Sequence, residues 1–516
     1  MTDASTRRSL PVRDLGHPVL VAIVGVACAA TVIARFVIPS ALWLDEALSV
    51  NIARLPIHEI PDALRRDGHP PLYYVLLHVW MGWFGEGDRA VRALSGLISI
   101  ATIPPAYLAG RRLGGQRLGW LTVIVLCLSP YFLRYGSEAR MYSLVILLTT
   151  LGYLVATSAL KDPRPGPLLG VAVTTGALLW THYWSIWLLV AVALLLVTLI
   201  VRRRADRSAR RPALLVLGAM AVGGLAFLPW LPTFLYQVQH TGTPWAKPLR
   251  PATVVVQTLT DFNGGPYSEP QLLMVMSIVL LTIGVFGRGI DAWRVELDFH
   301  TQPDARRPVA VLATTLVIGS VVVSVSRGGF HSRYAAVVFV FFVLLIALGL
   351  DHVRGSITRN LALGLFLVLS LAGLFLVFRL ERTQARAVAE AIAREDRPDA
   401  IVAVCPDQLG PAVRRAVNPK IEVVTYPNLG NPTFVDWVDY AERNRRNDPA
   451  AFAAALINRA GGRTIYLALV NNYRTLEGQC ANALAALAQS RTARPLLEAK
   501  AGDYYEAMSL YALDPP

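Results

Sequence analysis

Charge is scarce in this chain of 516 residues. Asp, Glu, Lys and Arg make up 16% of it, against 54% hydrophobic residues. That balance excludes both an ordinary soluble domain and a disordered tail. Cysteine is rarer still, with four residues, and Cys28 and Cys127 lie inside apolar runs where they read as small buried side chains. Cys405 and Cys480 stand in a polar C-terminal region without the spacing of a zinc site, and in an exported region they are candidates to pair. There is no internal repeat, no low-complexity tract and no glycine-rich phosphate loop, Gly328-Gly329 being an isolated pair. The formal charge of +14 comes without any stripe of Lys and Arg interleaved with aromatics on a polar segment, so nucleic acid is not an expected partner.

What the chain does have is a succession of apolar stretches long enough to cross a hydrocarbon core roughly 30 Å thick. Only helices satisfy the backbone there, given such segments. The first stretch is too long for a signal-peptide core and has no small-residue cleavage site before Pro39, so it is expected to stay as an anchor. Basic residues gather in the short turns between stretches: Arg7, Arg8 and Arg13 before the first, then Arg111-Arg112, Lys161, Arg202 to Arg211, Arg288 to Arg307, and Arg354 with Arg359. Positive charge is retained in the cytoplasm, which places the N-terminus inside. About eleven spans follow, near 17–38, 89–110, 118–135, 142–160, 168–181, 185–201, 212–235, 271–287, 308–326, 335–350 and 361–379.

Residues 70–85 are apolar but short and rich in aromatics, as in a helix lying at the interface, and counting them as a span would invert the basic turns. Segment 39–88 is therefore expected to be one outer loop with interfacial helices. From about 381 charge rises and long apolar runs stop. Short strand-like runs at 400–404, 421–425 and 464–469 alternate with helical patterns at 408–417, 434–445, 448–460 and 477–490. The expected architecture is a polytopic helical membrane domain, 1–380, followed by a small extracytoplasmic α/β domain, 381–516.

The chemistry-bearing residues collect at the outer mouths of spans, where ionisable groups are functional candidates by default. Asp45 and Glu46 come first, suited to taking a proton from an attacking hydroxyl. Neighbours on a helix point about 100° apart, so only one should face the reacting atoms. Their bland alternative is a pair of acids favoured by a helix N-terminus. Asp67-Gly68-His69-Pro70-Pro71 reads as a rigid turn, with His69 and the following Tyr74 as substrate contacts or His69 as a simple helix cap. Glu138 and Arg140 flank a helix start, and the arginine fork matches phosphate oxygens, unless it merely snorkels at the lipid boundary. His331 and Arg333 offer a second basic mouth, and His182 stands beside Tyr183 and Trp184, which also suit an interface. Trp245, Lys247 and Tyr267 of the loop 236–270 are candidates for a lid. No metal signature is present; a divalent cation held by Asp45, Glu46, Asp67, His69 and Glu138 stays open.

Taken in order, Trp43-Leu44-Asp45-Glu46-Ala47, His69-Pro70-Pro71-Leu72-Tyr73-Tyr74, Arg89 to Ser95, Ser129-Pro130 and Glu138-Ala139-Arg140-Met141-Tyr142 resemble the GT-C superfamily of polytopic glycosyltransferases. The bacterial branch related to protein O-mannosyltransferases and lipid A aminoarabinose transferases is the most similar. The resemblance implies transfer of a sugar, mannose or an arabinose-like pentose, from a polyprenyl-phosphate donor to a glycan, glycolipid or protein. It implies inversion in one displacement, no required cofactor, and a multi-pass protein of the inner (plasma) membrane. It maps the catalytic acid onto Asp45 with Glu46 beside it, and leaves Arg140, Arg333 and His331 for the donor phosphate. Asp67, His69, Tyr74, Glu138 and His182 are left for substrate. A transporter or lipid flippase and a non-catalytic envelope scaffold are the competing readings. Against the first, midspan charges are nearly missing and the acids sit at one mouth.

Overall fold

A computed structural model describes residues 16–244, 246, 249–265, 268–326, 328–471 and 473–516. Arg7, Arg8, Arg13, Trp245, Lys247, Tyr267 and Arg327 lie outside the described residues. The chain divides into two compact units, one of 1–37, 92–229 and 249–377, the other of 38–91, 230–248 and 378–516.

The first unit is helical, and the chain is a multi-pass membrane protein. Among the described residues seven helices are long and apolar enough to cross a membrane: Pro18–Val37, Asp88–Gly114, Tyr142–Lys161, Ser185–Arg202, Arg306–Ser326, Ser332–His352 and Ser356–Arg379. Two further pairs pass together but are bent, Gln116–Cys127 with Pro130–Gly136 by 64° and Arg210–Leu225 with Leu228–His240 by 41°, giving up to nine. Proline explains both breaks, since Pro130 and Pro229 each remove a donor and clash with the preceding turn. The two remaining expected spans are helices as well, Pro165–Thr181 and Ser268–Phe286, but the apolar parts fall short of the length of the others. Ser332–His352 is the span most withdrawn from the surroundings, 94% buried, which makes it the axis of this unit.

The second unit holds a five-stranded sheet in the order Glu422–Thr425, Ile401–Cys405, Ile465–Leu469, Ser509–Asp514, Thr492–Leu497. The first three strands pair in parallel and the last two are antiparallel. Ile401–Cys405 and Ile465–Leu469 are buried at every position, as strands covered on both faces should be. The three expected strands are thus present, and the four expected helices appear as Gly410–Ala416, Tyr440–Arg445, Pro449–Ala460 and Gln479–Ala488.

The boundary of this unit differs from the expected one. It begins at Phe378 and also takes in the segments 38–91 and 230–248. Packing gives the reason: Trp43 and Leu44 belong to the same apolar core as Ile401, Ala403, Leu467 and Leu513. The segment expected to be an outer loop is therefore part of the body of the α/β fold.

That loop is helical at Leu44–Ala53, Ile60–Asp67 and Leu72–Phe84. The last helix has 13 residues and so extends only about 20 Å, too short to span. Pro71 opens it and Gly85, at φ +80°, closes it. Tyr73, Tyr74, Leu77 and Met81 are buried, whereas Leu76, Val79, Trp83 and Phe84 are exposed. That outward apolar stripe is the face an interfacial helix offers to lipid.

Candidate functional site

Asp45 lies in the first turn of Leu44–Ala53, where the helix dipole favours a negative charge. Trp43 precedes the helix in extended conformation and is buried, so the backbone enters the turn from a fixed point. The two acids then part, as adjacent helical positions must. Glu46 is fully buried and Arg382 donates to it at 2.7 Å. Asp45 remains half-buried. The side chain of Glu46 is committed to the fold, and Asp45 is the acid of the pair that keeps partial exposure. Two more ionisable groups act on the same place. The Tyr473 phenol is pushed well up by burial first and by the charges of Asp407, Asp45 and Glu506 next. The Glu506 carboxyl is pushed up to about 8 by burial, against its hydrogen bonds, with the charge of Asp45 adding to the shift.

The Asp67 turn forms a second cluster in the same unit. Gly68 ends the Ile60–Asp67 helix at φ +92°, a conformation glycine adopts without cost. The reversal brings Asp67 Oδ2 to 2.8 Å from His69 Nδ1 and 3.0 Å from the Tyr74 hydroxyl, which donates to it. Asp67 and Tyr74 are buried, whereas His69 keeps 23% of its side chain accessible. A carboxylate on Nδ1 fixes the ring so that Nε2 is the outward atom. Asp67 thus joins His69 and Tyr74 in one hydrogen-bonded cluster.

The basic residues expected for phosphate lie in the first unit. Ser137, Glu138, Arg140, His182 and Arg333 are all buried there. Arg134 Nε stands 3.3 Å from Glu138 Oε2, one helical turn away. Glu138 therefore neutralises Arg134, which the sequence reading did not single out. Arg140 is held through its backbone, its amide donating to the Glu138 carbonyl at 2.7 Å and its carbonyl accepting from Ser95 at 3.2 Å. Burial first, then Arg333 and Arg134, drive the His331 imidazole well below its ordinary value. His331 is therefore a neutral donor or acceptor at pH 7. Ser332 hydrogen-bonds Asp261, whose carboxyl is raised by burial. His182 Nδ1 accepts from the Trp184 amide at 3.2 Å, which puts the ring proton on Nε2. Its ring lies 5.7 Å from Tyr142 and 5.6 Å from Tyr334, forming an aromatic wall.

Four residues were missed: Arg134, Asp261, Arg382 and Glu506. Arg134 is detectable as an i, i+4 partner of Glu138. The other three carry no local signal. Among the described residues no group of three or more His, Cys, Asp or Glu is arranged to hold a metal ion. Cys405 and Cys480 are joined by a disulfide with Cα atoms 5.5 Å apart, across 75 residues of sequence.

The family described as dolichyl-phosphate-mannose-protein mannosyltransferase matches residues 68–232 of the chain. No curated protein matches the sequence. Among solved structures, ArnT from Cupriavidus metallidurans bound to undecaprenyl phosphate has a TM-score of 0.58 at 14% identity, over 96% of this chain and 97% of that one. The apo Archaeoglobus fulgidus oligosaccharyltransferase has a TM-score of 0.49 at 11% identity, over 87% of this chain and 69% of that one. The S. cerevisiae Pmt1-Pmt2 protein O-mannosyltransferase complex bound to the sugar donor scores 0.33 at 14% identity, over 43% of this chain and 34% of that one. The ArnT match extends nearly end to end, so the fold is shared through the C-terminal region as well as through the spans.

Proposed function

We propose that the chain is a glycosyltransferase of the GT-C superfamily that moves a sugar, mannose or an arabinose-like pentose, from a polyprenyl-phosphate donor to an extracytoplasmic glycan, glycolipid or protein. The observation that carries the proposal is the separation of the two adjacent acids: Glu46 is sealed against Arg382 while Asp45 stays accessible at the helix start.

The step is a single displacement. The acceptor oxygen attacks the anomeric carbon, the bond from that carbon to the phosphate oxygen breaks, and its electron pair leaves with the lipid phosphate. Asp45 takes the acceptor proton as general base. Because attack and departure are on opposite faces, the anomeric centre inverts. Charge develops on the leaving phosphate, where the fixed forks of Arg140 and Arg333 and a neutral His331 offer donors. His69, oriented by Asp67 and Tyr74, offers Nε2 to a sugar hydroxyl; His182 offers another ring N–H. Nucleotide sugars are cytoplasmic, so a site reached from the outer leaflet calls for a lipid-carried donor. Undecaprenyl phosphate in the Cupriavidus metallidurans ArnT structure supports that choice of lipid. The topology proposed is an inner-membrane protein with a cytoplasmic N-terminus and an extracytoplasmic C-terminal region, which suits the Cys405–Cys480 disulfide. The displacement needs no cofactor; a divalent cation enters it only if EDTA abolishes transfer and Mg²⁺ restores it.

The test is transfer itself. Wild type and Asp45→Asn, each in nanodiscs, are given radiolabelled polyprenyl-phosphate sugars and an extract of envelope glycans. Label should leave the lipid with wild type and fall by roughly 100-fold or more with Asp45→Asn, the scale of a lost general base. Equal transfer by both would remove Asp45 from the chemistry. Tolerance of Asn with no transfer by either, in the presence of acceptor, would favour a transporter or a scaffold.

A further inference from the structure

We infer that Glu506 is a positioning residue for Asp45, reaching from the C-terminal strand to hold the turn that presents the base. The inference rests on the reading of Asp45 as general base.

The geometry begins with an uncapped helix. The first amides of a helix have no partner within it, and Trp43 supplies no side-chain cap to Leu44–Ala53. The Leu44 amide instead donates to Glu506 Oε1 at 3.4 Å, from 462 residues away. Beside this contact the Tyr505 ring meets Trp43 edge-on with centroids 5.1 Å apart. Residues 505 and 506 thus grip 43 and 44 in step. Their strand, Tyr504–Glu506, pairs in parallel with Glu381–Thr383. The middle residue of that second strand is Arg382, which holds Glu46, and its amide donates to Ser40 at 2.7 Å. The residues on both sides of Asp45 are therefore fixed by one two-stranded element, while Asp45 between them stays accessible.

Glu506 Oε2 is buried without a hydrogen-bond partner among the described residues. A carboxylate left so would be costly, and a protonated acid is less so. Its carboxyl is raised to about 8, by burial foremost, opposed by hydrogen bonds with Thr383 and the Leu44 amide, and furthered by Asp45. The Tyr473 phenol senses Glu506 together with Asp407, Asp45 and Tyr505. At pH 7 the Glu506 carboxyl is mostly neutral and adds no further negative charge beside Asp45. Above pH 8 a second charge forms beside the base, and repulsion between the two carboxylates disturbs the position of Asp45.

Three measurements test this. Glu506→Gln keeps a neutral acceptor for the Leu44 amide, so kcat at pH 7 should stay within about threefold of wild type while the alkaline fall of the rate disappears. Glu506→Ala should lower kcat roughly 10- to 100-fold at unchanged donor KM, the scale of a misplaced catalytic group. Infrared difference spectra should show a protonated carboxyl at pH 7 that titrates near pH 8 and is absent from Glu506→Gln. Asp407, raised only to about 6, is ionised there for the most part. Unchanged kcat in Glu506→Ala, an alkaline limb that persists in Glu506→Gln, or no such infrared band would each overturn the inference. Loss of the Asp45 reading would show separately, as equal transfer by wild type and Asp45→Asn.

Discussion

Arg382 Nη1 lies 2.7 Å from Glu46 Oε1, and neither side chain is open to solvent. The pair links the residue next to the proposed base to a strand 336 residues further along the chain. Removing one partner leaves a buried charge uncompensated. Glu46→Ala or Arg382→Ala should therefore destabilise the protein by about 3–5 kcal/mol. A double replacement by apolar residues of similar volume should recover much of that loss, because the pair itself contributes little net stability. Thermal unfolding of the two single variants and the double variant is the check. Equal stability of all three would mean that Glu46 is not held as described.

Asp67 and His69 should behave as orienter and oriented group. Asp67→Asn removes the charge that fixes Nδ1 and should lower kcat/KM by about tenfold, within the range for loss of an outer partner of a functional histidine. His69→Ala should cost at least as much, and Asp67→Asn added to His69→Ala should cost nothing further. Additive losses in this double-mutant cycle would show two independent roles.

Arg140→Gln and Arg333→Gln should each raise the donor KM or lower kcat by roughly 10- to 1,000-fold, as for removal of a donor aimed at developing charge. Acceptor KM should stay as it was. Arg134, already neutralised by Glu138, is the control, and Arg134→Gln should affect unfolding more than donor use. Donor binding unaltered in Arg140→Gln would end its phosphate role.

Reduction of Cys405–Cys480, or the double Cys→Ser variant, should destabilise the second unit by about 2–5 kcal/mol. Cys405 sits in a fully buried strand and Cys480 is fully buried on the Gln479–Ala488 helix, so the sheet and that helix should loosen together. Hydrogen exchange of residues 401–405 and 479–488, with and without reductant, is the measurement.

The sequence by itself determined the membrane class, the places of the helical runs and the three parallel strands. Each depends on local composition: apolar length for a span, and short Val- and Ile-rich runs for Ile401–Cys405 and its neighbours. Residues 70–85 were separable from the spans for the same reason, since their length and aromatics are visible in one dimension. The antiparallel edge was not. Thr492–Leu497 is largely exposed and contains Pro495, so it has no strand pattern to read.

What only the tertiary structure decided is which acid is accessible and what holds it. Asp45 and Glu46 are alike in sequence, and a helix turns them about 100° apart. The partner of Glu46 came from Arg382 and the hold on Leu44 from Glu506, contacts 336 and 462 residues distant in sequence. Contacts of that separation are made by packing, after Trp43 and Leu44 are buried with the core of the sheet. A sequence pattern carries information over a helix turn or a strand pair; burial, which separated the two carboxylates, is a property of the assembled fold.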